Sequence, residues 1–349
     1  MEADGTARKH VDWVDTFKGL GILLVVLGHL YNRGLIRDWI FLFHMPAFFF
    51  IGGLTFRVSR SPCEQLQRDA WRLLIPYVAF LHLIYPTMML IRLARGPQQA
   101  TAKIFVDQLW NLVAGGPLLL GWASVFWFIT CFFLTKQVYH GVRSRMSLPR
   151  SGVAVASMSL VGVALYHFSP NFWLPWCADV VLVAIFFFWL GEFTGGLREE
   201  PRARFVASGI GIAAAVAGLW GILSGEPWSM MMKNGDYGVP VLSVLLAGGT
   251  VIAMAELSIV LDRIPGLSHV LRYCGRASLA ILFMHQPLQL ILRDFFGFTD
   301  PTPRLALTLA GCVVSYELMR RAALTRALYL GSISDQRRLF SGPARELQG

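Results

Sequence analysis

Asp15-Thr16-Phe17-Lys18-Gly19-Leu20-Gly21-Ile22-Leu23-Leu24-Val25-Val26-Leu27-Gly28-His29 is an apolar run with one cation near its start and one imidazole at its end. A bilayer core takes about 20 apolar residues as helix, so the reading is a membrane helix over 13–33. At about 100° and 1.5 Å per residue, Lys18 and His29 fall within about 20° of one face and about 16 Å apart along the axis. Asp15, three residues before Lys18, shares that stripe and is its natural ion-pair partner. Ionisable groups inside apolar helix are costly unless paired or used. This stripe therefore marks both a span and a candidate site.

Further apolar stretches follow at 39–56, 73–91, 117–135, 152–167, 177–195, 205–223, 239–257, 277–296 and 304–322. Together with the first they predict an all-α, polytopic helical bundle of about ten transmembrane helices. Over 349 residues, 55% are hydrophobic and 15% charged, and the mean hydropathy is +0.54. That composition excludes an ordinary soluble domain. The segment 93–116 is mixed and reads as an interfacial helix or lid. The reading divides the chain into a cytoplasmic tail (1–12), a membrane domain (13–322) and a second cytoplasmic tail (323–349).

The net charge of +10 would suggest nucleic acid in a soluble protein, but topology explains it here. With the N-terminus inside, alternate loops place 22 Lys and Arg on the cytoplasmic side and eight on the other, as the positive-inside rule requires. Both termini are expected in the cytoplasm, and no nucleic-acid partner is expected. The five cysteines are scattered without CxxC spacing, so neither a metal site nor a disulfide framework is expected. The first apolar run lacks a small-residue cleavage pattern and reads as a retained helix.

The second run returns through Phe43-His44-Met45-Pro46 and the Phe-rich stretch to Gly52-Gly53. Counted from the intervening turn near Asn32 to Asp38, His29 and His44 reach similar depths and are expected to share a cavity. A neutral imidazole can take the proton of an attacking hydroxyl near pH 7, or accept an acyl group itself. A second histidine, or a backbone donor near Gly28, would then stabilise the developing oxyanion. Lys18, Arg68 and Arg72 stand where a cytosolic, phosphate-bearing donor such as acetyl-CoA needs cations. The plainer readings are a helix-to-helix hydrogen bond for each histidine, snorkelling for Lys18, and ordinary loop charge for the arginines.

These residues also carry a resemblance. The stretch from Asp15 to His29, followed by Phe43-His44-Met45-Pro46, is similar to the acyltransferase 3 family of integral membrane O-acyltransferases. The similarity continues through Arg72-Leu73-Leu74-Ile75-Pro76-Tyr77, Trp127-Phe128, Leu190-Gly191, and Gly275-Arg276-Ala277-Ser278 to His285-Gln286-Pro287. Where the family pattern most often has Arg, this chain has Lys18, which resembles the subgroup of fucose 4-O-acetylases. The resemblance implies a multi-pass enzyme of the bacterial inner membrane. It would move acetyl from acetyl-CoA to a carbohydrate hydroxyl, with an exported or surface polysaccharide or its lipid-linked unit as acceptor and polysaccharide-assembly proteins as candidate partners.

The expected roles are catalysis for His29 and His44, donor binding for Lys18, Arg68 and Arg72, and substrate binding for Asp15, Trp127, Asp179 and His285. The rival reading is a transporter or exporter of a glycan or small solute, with Lys18, His29 and His44 lining its path. It calls for paired broken helices, and the sequence shows no internal repeat. A silent scaffold is the third reading, and it would tolerate loss of His29.

Overall fold

The computed structural model describes residues 12–31, 33–59, 61–96 and 102–340, with the side chains of Arg95 and Ala102 excepted. Expectations for residues 1–11, Asn32, Arg60, 97–101 (part of the segment read as an interfacial helix or lid) and 341–349 lie outside the described residues.

The helices, in chain order, are α1 (Asp12–Gly28), α2 (Leu35–Leu54), α3 (Pro62–Asp69), α4 (Ile75–Arg95), α5 (Ala102–Ala114), α6 (Trp127–Arg143), α7 (Leu148–Phe168) and α8 (Val181–Leu197). They continue as α9 (Pro201–Leu223), α10 (Leu242–Leu261), α11 (Leu267–Arg276), α12 (Ser278–Asp294), α13 (Pro301–Arg321), α14 (Ala323–Tyr329) and α15 (Ile333–Phe340). Of these, α3, α11, α14 and α15 form in segments read from the sequence as loop or tail, and the others fall in the expected stretches. Among the described residues, extended pairing is confined to an isolated bridge between Met231 and Asp236. The protein is an all-α, multi-pass membrane protein. Runs containing α2, α3–α4, α7, α8, α9 and α10 are long and apolar enough to cross a bilayer. Helices α1, α6 and α12 have 17 residues each, and α13 carries Arg304, Glu317, Arg320 and Arg321.

Outward faces are apolar, as lipid requires. On α9, Phe205, Val206, Ile210, Val216 and Trp220 are all exposed. Helices approach one another where side chains are absent. A Cβ on Gly53 of α2 would lie 1.7 Å from the Phe188 carbonyl oxygen of α8, and one on Gly191 of α8 would lie 1.9 Å from that of Phe50. Helices α1 and α11 meet in the same reciprocal way, Gly19 against Leu271 and Gly275 against Asp15.

Three features depart from the sequence reading. The stretch 117–126 is not helical throughout. It forms short 3₁₀ turns at Gly116–Leu118 and Gly121–Ala123, because Gly115, Gly116 and Gly121 take positive φ and break the helical path. The helix begins only at Trp127.

The second departure is a π turn at Ala70–Leu74 between α3 and α4. Ile75 N–H donates back five residues to Ala70, and the next donor in that pattern is Pro76, which has no N–H. The Trp71 carbonyl is thereby left over. It is capped from far along the chain by Gln336 Nε2, at 3.0 Å.

That cap accounts for the third departure. Residues 323–340, expected as tail, are two docked helices. Asp335 accepts both arms of Arg326 at 2.9 Å each and the Ser332 hydroxyl at 2.6 Å. Gln336 donates also to Ala327 at 2.7 Å. Tyr329 packs on Phe80 of α4, and Trp71 stacks on Phe340. Gly331 turns at positive φ with its backbone against the Arg72 carbonyl.

Candidate active site

α1 ends at Gly28, where side chains add donors to carbonyls of a helix C-terminus. Val25 accepts both the backbone N–H of His29 at 3.1 Å and its ring Nδ1 at 2.8 Å. Gln289 of α12 donates to Val26 at 3.1 Å, and buried Arg304 of α13 donates to Leu30 at 2.8 Å. These contacts fix the end of α1, and with it His29, against the last two long helices.

His44 and His285 are held by a shared local device. Each ring donates from Nδ1 to the carbonyl four residues earlier, His44 to Ile40 at 3.0 Å and His285 to Ile281 at 2.9 Å. Each is followed two residues later by an in-helix proline, Pro46 or Pro287. A carbonyl oxygen can only accept, so in all three imidazoles the hydrogen is on Nδ1 and Nε2 carries the lone pair in the neutral form.

The three rings converge. His29 stands 6.1 Å from His44 and 5.3 Å from His285, centroid to centroid and edge to face. His44 and His285 are buried, and His285 Nε2 has no hydrogen-bond partner among the described residues. His29 and His44 face a cavity of about 200 Å³ whose walls include Phe41, Ser124, Trp127 and Lys233. Phe41 lies 4.6 Å from the His44 ring, centroid to centroid, and the Arg37 guanidinium stands 4.1 Å from the Phe41 ring centre.

Lys233 comes from the loop between α9 and α10 and is the one cation of that loop. It donates from Nζ to the Leu119 carbonyl. Burial pulls its pKa down to about 8. This residue was not singled out in the sequence. Its signal was the solitary cation of a loop that otherwise carries only Glu226 and Asp236, placed after three methionines, which topology alone does not aim at a site.

The remaining expected site residues are distributed as follows. Trp127 is buried in the cavity wall. His285 joins the histidines directly. Asp179 is turned back to its own loop, accepting from Leu174 N–H at 2.9 Å, and does not line the cavity. Asp15 is buried at the opposite end of α1, 3.2 Å from Lys18 Nζ. At that same end Thr16 and Arg272 converge on Asp262 at 2.5 and 2.7 Å.

Arg68 and Arg72 lie beside the C-terminal helices and not beside the histidines. Arg68 donates to Gln65 at 2.5 Å, and Gln65 to Asp69, which also takes Lys136 at 2.5 Å. Arg72 is exposed. The candidate cationic residues and the histidine cavity thus occupy opposite ends of α1 and its neighbours.

A family model described as an acyltransferase domain, that of acyltransferase family 3, matches residues 11–319. No curated protein and no solved structure shows significant similarity to the chain.

Proposed function

The chain belongs to the acyltransferase 3 family of membrane O-acyltransferases, and from that premise we propose that it moves acetyl from cytosolic acetyl-CoA to a carbohydrate hydroxyl. The acceptor in this reading is an exported or cell-surface polysaccharide, or its lipid-linked unit, and the enzyme works in the bacterial inner membrane. The observation that carries the reading is the set of three imidazoles whose hydrogen bonds leave every Nε2 as a base in one region, two of them on a cavity.

The chemistry follows from those atoms. His29 Nε2 takes the proton of the acceptor hydroxyl as its oxygen attacks the thioester carbonyl. Negative charge then develops on the carbonyl oxygen, and the Lys233 ammonium is placed in the cavity wall to stabilise it. Collapse breaks the carbon–sulfur bond. The ester leaves with the acetyl group, and the thiolate recovers the proton from the imidazolium. In the variant with an acyl-enzyme, His29 Nε2 attacks the thioester first, and the hydroxyl attacks the acyl-imidazole second.

Trp127 offers a buried aromatic wall to the apolar face of a sugar ring. The donor enters from the opposite end, where Lys18, Arg68 and Arg72 supply positive charge. The roughly 16 Å from Lys18 to His29 along α1 is the kind of span that a pantetheine arm bridges.

The test is label transfer. Membranes containing the wild type, supplied with acetyl-labelled acetyl-CoA and a glycan extract, are expected to yield labelled, alkali-labile glycan, and His29→Ala membranes none. Release of CoA with no label in any glycan fraction contradicts a carbohydrate acceptor.

A further inference from the structure

A second cavity lies at the end of the molecule assigned to the cytoplasm. It holds about 300 Å³ and is walled by Glu64, Gln67, Arg68 and Trp71 on one side and by Ile333, Gln336 and Arg337 of α15 on the other. It is lined by two guanidiniums and one carboxylate. One of its lining residues is unusual: Gln336 is 3% exposed, both of its described hydrogen bonds are made by Nε2, and Oε1 has no partner among the described residues. Leaving a buried acceptor unsatisfied costs about 1–3 kcal/mol. The amide cannot simply be reversed, because Nε2 already caps two carbonyls. Oε1 is therefore an acceptor without a donor among the described residues, and it is enclosed, so an incoming donor reaches it only as the cavity wall gives way.

A purine amine is such a donor, and Trp71, partly buried in the same wall, presents an indole of the kind on which a base stacks. Arg68 and Arg337 stand at the rim, where phosphates attached to that base would meet guanidinium forks. The Glu64 carboxylate is repelled by phosphate and suits a ribose hydroxyl.

Resting on the reading of acyl-CoA as donor, we infer that α15 completes the nucleotide subsite. Gln336 Oε1 receives the adenine amine, Trp71 stacks the ring, and Arg68 with Arg337 holds the phosphates. The C-terminal helices are then part of the donor site. Trp71, Gln336 and Arg337 are specificity residues, distant from the histidines.

The probes are 3′,5′-ADP alone, acetyl-CoA and acetyl-pantetheine, the last lacking the nucleotide. Arg337 is exposed, so Arg337→Ala is expected to fold as the wild type does; Trp71→Ala is the second variant. Calorimetry on the full chain in nanodiscs is expected to show 3′,5′-ADP binding that weakens by about tenfold in each variant, the value of one charge-assisted contact for Arg337→Ala and of one base stack for Trp71→Ala. The KM for acetyl-CoA should rise by a similar factor at unchanged kcat. The KM for acetyl-pantetheine should stay the same in all three proteins.

Equal 3′,5′-ADP binding in all three proteins, or none in the wild type, overturns the subsite whether or not acetyl-CoA is turned over. Loss of turnover in His29→Ala with intact 3′,5′-ADP binding leaves it standing. Absence of turnover in the wild type with Arg337-dependent 3′,5′-ADP binding keeps the nucleotide pocket and removes the transferase reading instead.

Discussion

His29, one residue past α1, and His285 of α12 are far apart in the chain, yet their rings meet edge to face at 5.3 Å, and each is hydrogen-bonded through Nδ1 to a carbonyl of the helix beside it. The contact places the ring of His285, whose Nε2 has no partner among the described residues, beside the proposed base. His285→Phe keeps the bulk and removes the nitrogens. It is expected to lower kcat by at least tenfold with little change in the KM for acetyl-CoA. Steady-state CoA release, on protein shown monodisperse by size-exclusion chromatography, checks this; unchanged kcat would make His285 a packing residue.

Lys233 gives a pH signature. Its folded pKa of about 8 lies below the usual value of about 10.4, so between those values the unfolded chain binds more protons. Stability from this group therefore rises with pH across that window, while the ammonium available to an oxyanion is lost above about 8. The expected rate profile falls on an alkaline limb near pH 8 even as the fold is favoured. Lys233→Met is expected to reduce kcat and abolish that limb, as a pH–rate series on both proteins would reveal.

The α14–α15 turn is locked by Asp335. Arg326 and the Ser332 hydroxyl hold its carboxyl well below the ordinary carboxylate range, at about 2. The depressed value means the ion pair contributes fully above about pH 4 and is lost as pH falls through about 2. Asp335→Asn removes the pair at neutral pH. Amide exchange across 333–340 is expected to accelerate in that variant, with α1 and α2 unaffected. Unchanged exchange would show that Gln336 and Phe340 hold α15 without it.

Close packing between α2 and α8 leaves no room at Gly53. A methyl there meets the Phe188 carbonyl oxygen at 1.7 Å, and backbone cannot yield cheaply. Overpacking of this kind costs about 1–3 kcal/mol or more, so Gly53→Ala should lower the apparent Tm in detergent. By contrast, Gly196→Ala on α8, where a Cβ meets nothing within 4 Å, is expected to leave Tm unchanged.

Much of the architecture could be read from the sequence because a bilayer demands long apolar runs, and charge sorting orders the loops between them. The approach of His29 to His44 followed from counting residues out from one turn. His285 could be suspected from its His-x-Pro setting, but its meeting with His29 is a tertiary fact. The 3₁₀ turns before Trp127 were hidden because Leu118, Leu119 and Leu120 are as apolar as a helix, while the glycines beside them set the backbone.

Docking of α14 and α15 was invisible for a different reason. The π turn and the missing N–H of Pro76 create a carbonyl that needs a donor, and nothing local says that Gln336 supplies it. Asp179, read from the sequence as an acceptor-site residue, has one carboxylate oxygen taken up by the Leu174 N–H of its own turn, a local contact that its place near a helix end did not announce.

The most direct test of the central claim is acetyl-CoA turnover by purified protein in nanodiscs, comparing the wild type with His29→Ala and Lys18→Ala after all three are shown to fold. The account predicts CoA release by the wild type, a loss of about 10²–10⁴ in kcat for His29→Ala, and a weakened KM for Lys18→Ala. Equal turnover by wild type and His29→Ala, or no binding and no turnover of acetyl-CoA in the presence of candidate glycans, would contradict it.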